Sequence, residues 1–147
     1  MFTVIFAQNL QLHYDYGKDR KHFTSTIEMF KPDDLGATFF FVDFDFNQAG
    51  NKSISLSYFE IARYFKIPGL DRVSATVQYN DGTAPWGPLG HVWLGGGSYA
   101  FNIEKGSLSL DVLARKDYLS QDLDVQGTLV WFFPLFDGKV AFTGFID

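Results

Sequence analysis

The chain is predicted to be all-β, an antiparallel up-and-down transmembrane β-barrel, on three observations. Short stretches alternate apolar and polar residues with a period of two, and the polar phase of most of them carries carboxylates, amides or histidine. Aromatic residues are abundant: 17 Phe, 7 Tyr and 3 Trp among 147 residues exceed what one core of this length needs, while charged residues are only 20%. No run of 18 apolar residues occurs. That excludes a transmembrane helix but not a barrel, whose strands cross a bilayer in about 9 to 11 residues.

Composition narrows the class further. The length predicts one domain, with 14 Gly and 5 Pro spread as turn punctuation. Cysteine is absent, so neither a disulfide framework nor a thiolate metal site is available. A net charge of -5 with no Lys/Arg cluster argues against nucleic acid as a partner. No nucleophile elbow or zinc-type spacing is present, and His13, His22 and His91 have no ligand-spaced neighbours, so no catalytic residues, metal or cofactor are expected. A membrane hydrolase would need a histidine on the lipid face, and all three are read as lying off it.

The segment Phe2 to Ala7 is apolar and precedes Gln8 like the end of a signal region, without a basic n-region. Residues 1–7 are therefore read as a signal-peptide remnant and 8–147 as the barrel domain.

The first strand, Asn9 to Tyr16, alternates most plainly, with Leu10, Leu12 and Tyr14 opposite Asn9, Gln11, His13 and Asp15. After a charged turn, His22 to Lys31 sets Phe23, Ile27 and Met29 against Thr24, Thr26 and Glu28. The break at Pro32 to Gly36 leads to Ala37 to Asn47, where Phe40, Val42, Phe44 and Phe46 oppose Phe39, Phe41, Asp43 and Asp45. The fourth strand, Ser53 to Lys66, alternates through Ile54, Leu56 and Tyr58. It then slips phase over Phe59 to Phe65, as a β-bulge or helical turn would cause, leaving open whether Glu60 and Arg63 both face inward. The fifth sets Val73, Ala75, Val77 and Tyr79 against Ser74, Thr76, Gln78 and Asn80. The longest connection follows, over Asp81 to Gly90.

The sixth strand, His91 to Phe101, contains Gly95, Gly96 and Gly97, which mark a bend or a close approach to the backbone. Leu108, Leu110 and Val112 form the apolar phase of the seventh, and Leu123, Val125, Leu129 and Trp131 that of the eighth, against Asp122, Asp124, Gln126 and Thr128. A ninth begins at Lys139. Four alternate connections, Pro32 to Gly36, Ile67 to Asp71, Asn102 to Gly106 and Pro134 to Gly138, are short, as the periplasmic turns of a barrel are. An odd count of nine would leave an unpaired edge in lipid, so strands are expected beyond a C-terminal truncation.

The segments Asn9 to Asp15, Glu28-Met29-Phe30-Lys31-Pro32-Asp33, Phe39-Phe40-Phe41-Val42-Asp43-Phe44-Asp45 and Glu60-Ile61-Ala62-Arg63 resemble a family of uncharacterised outer-membrane proteins. That family is similar to the Tsx-like nucleoside-specific channels, and the resemblance runs from Gln8 to Ile146. It implies a narrow, monomeric barrel of twelve strands in the bacterial outer membrane, passing small solutes by facilitated diffusion, with nucleosides as the named substrate.

The resulting expectation is a channel for small polar solutes embedded in outer-membrane lipid. Its lumen is assigned to Glu28, Asp43, Asp45, Phe39, Phe41, Asp15, His13, Gln78 and Arg63. Asp111, Asp122 and Asp124 are also read as inward-facing. An acidic lumen favours cations and neutral polar solutes, and Phe39 and Phe41 offer stacking surfaces. Two alternatives remain: a soluble lipocalin-like or sandwich protein that turns its apolar phase inward around an apolar ligand, and a structural barrel with an occluded lumen. Trp86 is read as an interfacial anchor.

Overall fold

A computed structural model describes residues 7–18, 21–47, 53–120 and 122–147. The signal-peptide expectation lies outside them except for Ala7, which opens the first strand. The described chain is strand throughout its regular elements: β1 (Ala7–Tyr14), β2 (Phe23–Asp33), β3 (Gly36–Phe46), β4 (Ile54–Ile67), β5 (Leu70–Ala84), β6 (Gly87–Pro88), β7 (Val92–Ala100), β8 (Ser107–Asp117), β9 (Asp124–Leu135) and β10 (Val140–Ile146). Every pairing is antiparallel, in the order β1-β2-β3-β4-β5-β7-β8-β9-β10, with the short β6 folded back onto β5. The nine long strands follow the expected meander.

Register assigns the faces, because residues directly opposite each other on adjacent strands point the same way. One face carries the polar phase, for example the row Asn9, Glu28, Phe41, Glu60 and Asn80. The other carries the apolar phase, as in Leu12, Ser25, Phe44 and Ser57, or Tyr79 beside Ile61 and Trp93.

Hydrogen bonds reaching over intervening strands identify the concave side. Tyr64 on β4 donates to Asp111 on β8 at 2.9 Å, passing over β5 and β7, and Gln78 on β5 donates to the same carboxylate at 3.0 Å, passing over β7. Only a sheet curled toward its polar face brings those side chains together. The fold is thus a curled half-barrel, open between β1 and β10, with its polar phase inside.

The consequence for burial is an inverted protein. The largest fully buried side chains include Asp111 and Thr76 beside Leu113. Among the described residues the buried apolar cluster comprises Val92, Leu94 and Leu113. Meanwhile Leu10, Leu12, Phe23, Val77, Val125 and Phe142 stand open on the convex face. The accessible surface is 10677 Å², whereas a compact soluble chain of 16.7 kDa exposes about 7,600 Å². Among the described residues nothing packs against the apolar face of the curved sheet.

Three details differ from the sequence reading. The phase slip in β4 lies at Ser55, not at Phe59: Asp45 pairs with Leu56 while Phe46 pairs with Ile54, and the bulged Ser55 hydroxyl donates to the Asp45 carbonyl at 3.1 Å. Ile54 is therefore convex, while Leu56 and Tyr58 are concave, and β4 continues as strand to Ile67. The long connection expected after Asn80 is mostly strand, since β5 runs on to Ala84 and Thr83 and Ala84 pair with Pro88 and Gly87. The expected five-residue turns tighten to Asp34-Leu35 and Pro68-Gly69 at the first two sites, because the flanking strands extend into them.

Aromatic rings gather on the convex face near the end of the longer connections. Tyr79 lies 4.7 Å from Trp93, 5.7 Å from Phe59 and 6.0 Å from His91, which in turn lies 4.8 Å from Tyr118. His91 therefore belongs with the convex rim, contrary to the sequence reading, because Val92 beside it turns inward to Asn80. Trp86 is at the exposed β5–β6 tip.

Candidate functional site

The concave wall of β1 to β4 gathers most of the residues singled out from sequence. Phe41 stands between two carboxylates, Glu28 on β2 and Glu60 on β4, each directly across from it. Its ring lies 6.0 Å from Phe39 and 6.0 Å from Tyr58, so three aromatic faces run along the same surface. Alternation alone puts them there: β3 reads Phe at 39, 40 and 41, and only the odd positions share the phase of Asp43 and Asp45.

Most of these carboxylates are already paired. Asp43 accepts from Thr26, and Glu60 accepts from Tyr58 two residues away. Asp45 accepts from Thr24 at 2.5 Å, and the buried His22 approaches its other oxygen at 3.3 Å. Cross-strand threonines suit this role because a hydroxyl on the opposed residue reaches a short carboxylate without cost in backbone geometry. Glu28 alone of this group has no hydrogen bond or ion pair among the described residues. It is half-buried beside the aromatic row, where a solute would meet a free acceptor. The curl also brings Asp147, at the end of the chain, close enough to Tyr58 and Glu60 for its charge to act on them.

Three further predicted residues divide. His13 is on the concave phase, exposed, and contacts Gln11 at 2.9 Å. Gln78 is concave too, but it belongs to the second cluster around Asp111 with Tyr64 and Thr76, whose oxygens lie 3.4 Å from its amide nitrogen. Asp15 lies one residue past the end of β1 and keeps the concave phase: its N–H donates to the His22 carbonyl at 3.0 Å, continuing the β1–β2 ladder, and its carboxylate accepts from the Gly17 N–H at 2.8 Å as the turn begins. Of the other acidic residues read as inward, Asp111 and Asp124 are concave, Asp124 opposite Arg115, while Asp122 falls in the β8–β9 connection.

Arg63 is corrected to the convex face. It pairs in register with Thr38 and Val77, and its guanidinium forks onto Asp33 with contacts of 2.6 and 2.8 Å while lying 5.2 Å from the Phe65 ring centroid. A cation can sit in an apolar phase here because β4 ends nearby and the side chain reaches out to the β2–β3 turn. The same guanidinium holds the Asp33 carboxyl, at that turn, at about 2, well below its ordinary range, chiefly by hydrogen bonding. A carboxyl depressed in this way strengthens the pair above the unfolded value of about 4, and the benefit disappears as pH falls toward 2. The Asp33 carboxyl carbon, followed by NMR, is expected to titrate near that low value and to return to about 4 in Arg63→Gln.

Sequence reasoning passes over Tyr58 and Tyr64 as wall residues. Both occur where Phe59, Ile61 and Phe65 mask the polar phase, and the charge at Arg63 falls on the wrong side of the alternation. The Glu60 carboxylate between Tyr58 and Tyr64 in the same phase is the signal that could find them.

Chemically, the wall presents hydrogen-bond acceptors beside flat apolar rings. It can receive a solute that pairs donors with a planar or apolar body. No curated protein and no solved structure matches the chain. A family model described as a domain of unknown function, DUF5020, matches residues 7–147. The chain belongs to the DUF5020 family.

Proposed function

We propose that this chain forms the wall of a bacterial outer-membrane channel through which small polar solutes, nucleosides among them, diffuse passively. Lipid covers the convex face, a monomer lines the conduit, and transport proceeds without catalysis or a cofactor. The observation that carries this reading is the inverted polarity of the curled sheet: carboxylates and hydroxyls occupy its interior while Val77, Val125 and Phe142 are open outside.

Other features agree. The strands β2, β3, β4, β5, β8 and β9 have 11 to 15 residues, enough to cross a bilayer at a tilt. Rings cluster on the convex face near one end, where a headgroup boundary favours Trp and Tyr. A lipocalin-like protein would need the opposite phase inside. The nucleoside portion leans on the resemblance to Tsx-like channels and on the rings of Phe39, Phe41 and Tyr58 beside Glu28, which suit a base with its sugar hydroxyls.

Recording in planar bilayers tests both parts. Stepwise conductance is expected, reduced by added nucleoside, and the folded protein should migrate differently on gels before and after boiling. Absence of conductance removes the channel; conductance that nucleosides leave unchanged removes only that substrate.

A further inference from the structure

The concave face is not uniform. On β1 to β3 its residues, among them Thr24, Thr26, Glu28 and Asp43, are half-exposed. Between β4 and β8 it is sealed: Thr76 is 2% exposed, Asp111 and Leu113 are 1% exposed, and Ala62, Leu94 and Ser98 are buried around them. Tyr64 and Gln78 both donate to one oxygen of Asp111, Oδ2. Its other oxygen, Oδ1, is buried and has no hydrogen-bond partner among the described residues.

A buried carboxylate that is only half satisfied is an expensive way to brace a sheet. If bracing were its only role, an apolar residue beside Leu113 would do it at less cost. The neighbouring space gives the residue a use. Ser98, directly across from Asp111 in register, lines a half-open cavity of about 390 Å³ at the mouth with the shorter turns, together with Lys66, Arg72 and Ser74. A solute entering by that mouth meets Ser98 next to the unsatisfied carboxylate.

We propose that Asp111, held by Tyr64 and Gln78, is a selective constriction of the lumen that takes the ammonium group of a small solute and excludes anions. An N–H⁺ donor would satisfy Oδ1, and release of the Tyr64 and Gln78 donors would open the seal. An incoming carboxylate or phosphate would meet Lys66, Arg72 and Asp71 at the mouth but a like charge at Asp111 itself. The role in transport rests on the channel reading; the seal and its charge selection do not.

The natural absence of cysteine makes the test direct. Single Ser98→Cys and Thr26→Cys variants, folded in detergent micelles, are labelled with methanethiosulfonates of similar size bearing either an aminoethyl or a sulfonatoethyl group. Ser98→Cys should react at least about ten-fold more slowly than Thr26→Cys, and at Ser98→Cys the ammonium reagent should outpace the sulfonate by about ten-fold relative to free cysteine. Adding Asp111→Asn should remove that preference, and adding Tyr64→Phe should raise both rates at position 98 while circular dichroism retains the β-sheet spectrum.

Equal rates at positions 26 and 98 would overturn the seal. A charge preference untouched by Asp111→Asn would overturn the assignment to Asp111. If Asp111→Asn does not fold, unchanged rates in Tyr64→Phe overturn the proposal instead. Labelling requires no current, so its failure is distinct from a failure of the channel reading, which the bilayer recordings address.

Discussion

On the proposed channel reading, Val77→Arg is expected to destabilise the protein in phospholipid vesicles by about 2–4 kcal/mol, measured by urea unfolding, because that reading covers the convex face with lipid and the substitution places a charge near the middle of a strand there. Val77 is the central residue of β5, on the convex phase with Arg63 and Gly95 as its register partners, and 48% exposed. On a face open to water the same substitution costs no more than about 1 kcal/mol, from the like charge of Arg63 directly across. The difference therefore separates a lipid environment from a solvated one more sharply than any contact inside the sheet. A concave control, Thr26→Arg, should be tolerated better in lipid, since its neighbours are Asp43 and Gln11.

The second large effect concerns three consecutive glycines in β7. A Cβ on Gly96 would stand 2.1 Å from the Val112 carbonyl oxygen and 3.0 Å from the Leu113 Cα, both backbone atoms that cannot turn aside. Gly96→Ala is expected to cost about 1–3 kcal/mol by overpacking. At Gly95 and Gly97 the nearest atom to a Cβ is 3.9 Å away, so alanine there should be neutral or slightly stabilising through lower unfolded-chain entropy. Equilibrium unfolding of the three variants checks the pattern: equal losses would mean that the glycines serve the bend as a group, whereas a loss confined to Gly96→Ala locates the close approach between β7 and β8.

That contrast illustrates how much is legible in the chain alone. A run of glycines in a strand announces a bend or a close backbone approach, but not which glycine matters, since that depends on how β8 is set against β7. The acidic wall is easier. Asp43, Asp45, Phe39 and Phe41 are placed on one face by the local alternation of β3, and Glu28 by that of β2. Arg63 is misplaced because its charge overrides the phase of Ile61 and Phe65 in a sequence reading, whereas in the fold the end of the strand lets it reach Asp33. Asp15 keeps the phase of the wall although β1 stops one residue before it, and alternation carries no information about where a strand ends. The bulge at Ser55 is displaced by several residues for a similar reason: Ile54 and Leu56 are both apolar, so the sequence continues smoothly through the irregularity.

The division between faces is written in the sequence itself, because neighbouring side chains on a strand must point to opposite sides and every second residue keeps one character. Family membership and the meander order are consistent with that local code. What only the tertiary structure decided is the meeting of residues far apart in the chain. The 47-residue separation of Tyr64 and Asp111 places no constraint on their contact; curvature accumulated over β4, β5, β7 and β8 does. That curvature gathers Asp111, Gln78 and Thr76 into a sealed interior, leaves Glu28 open beside Phe41, and turns the apolar phase outward.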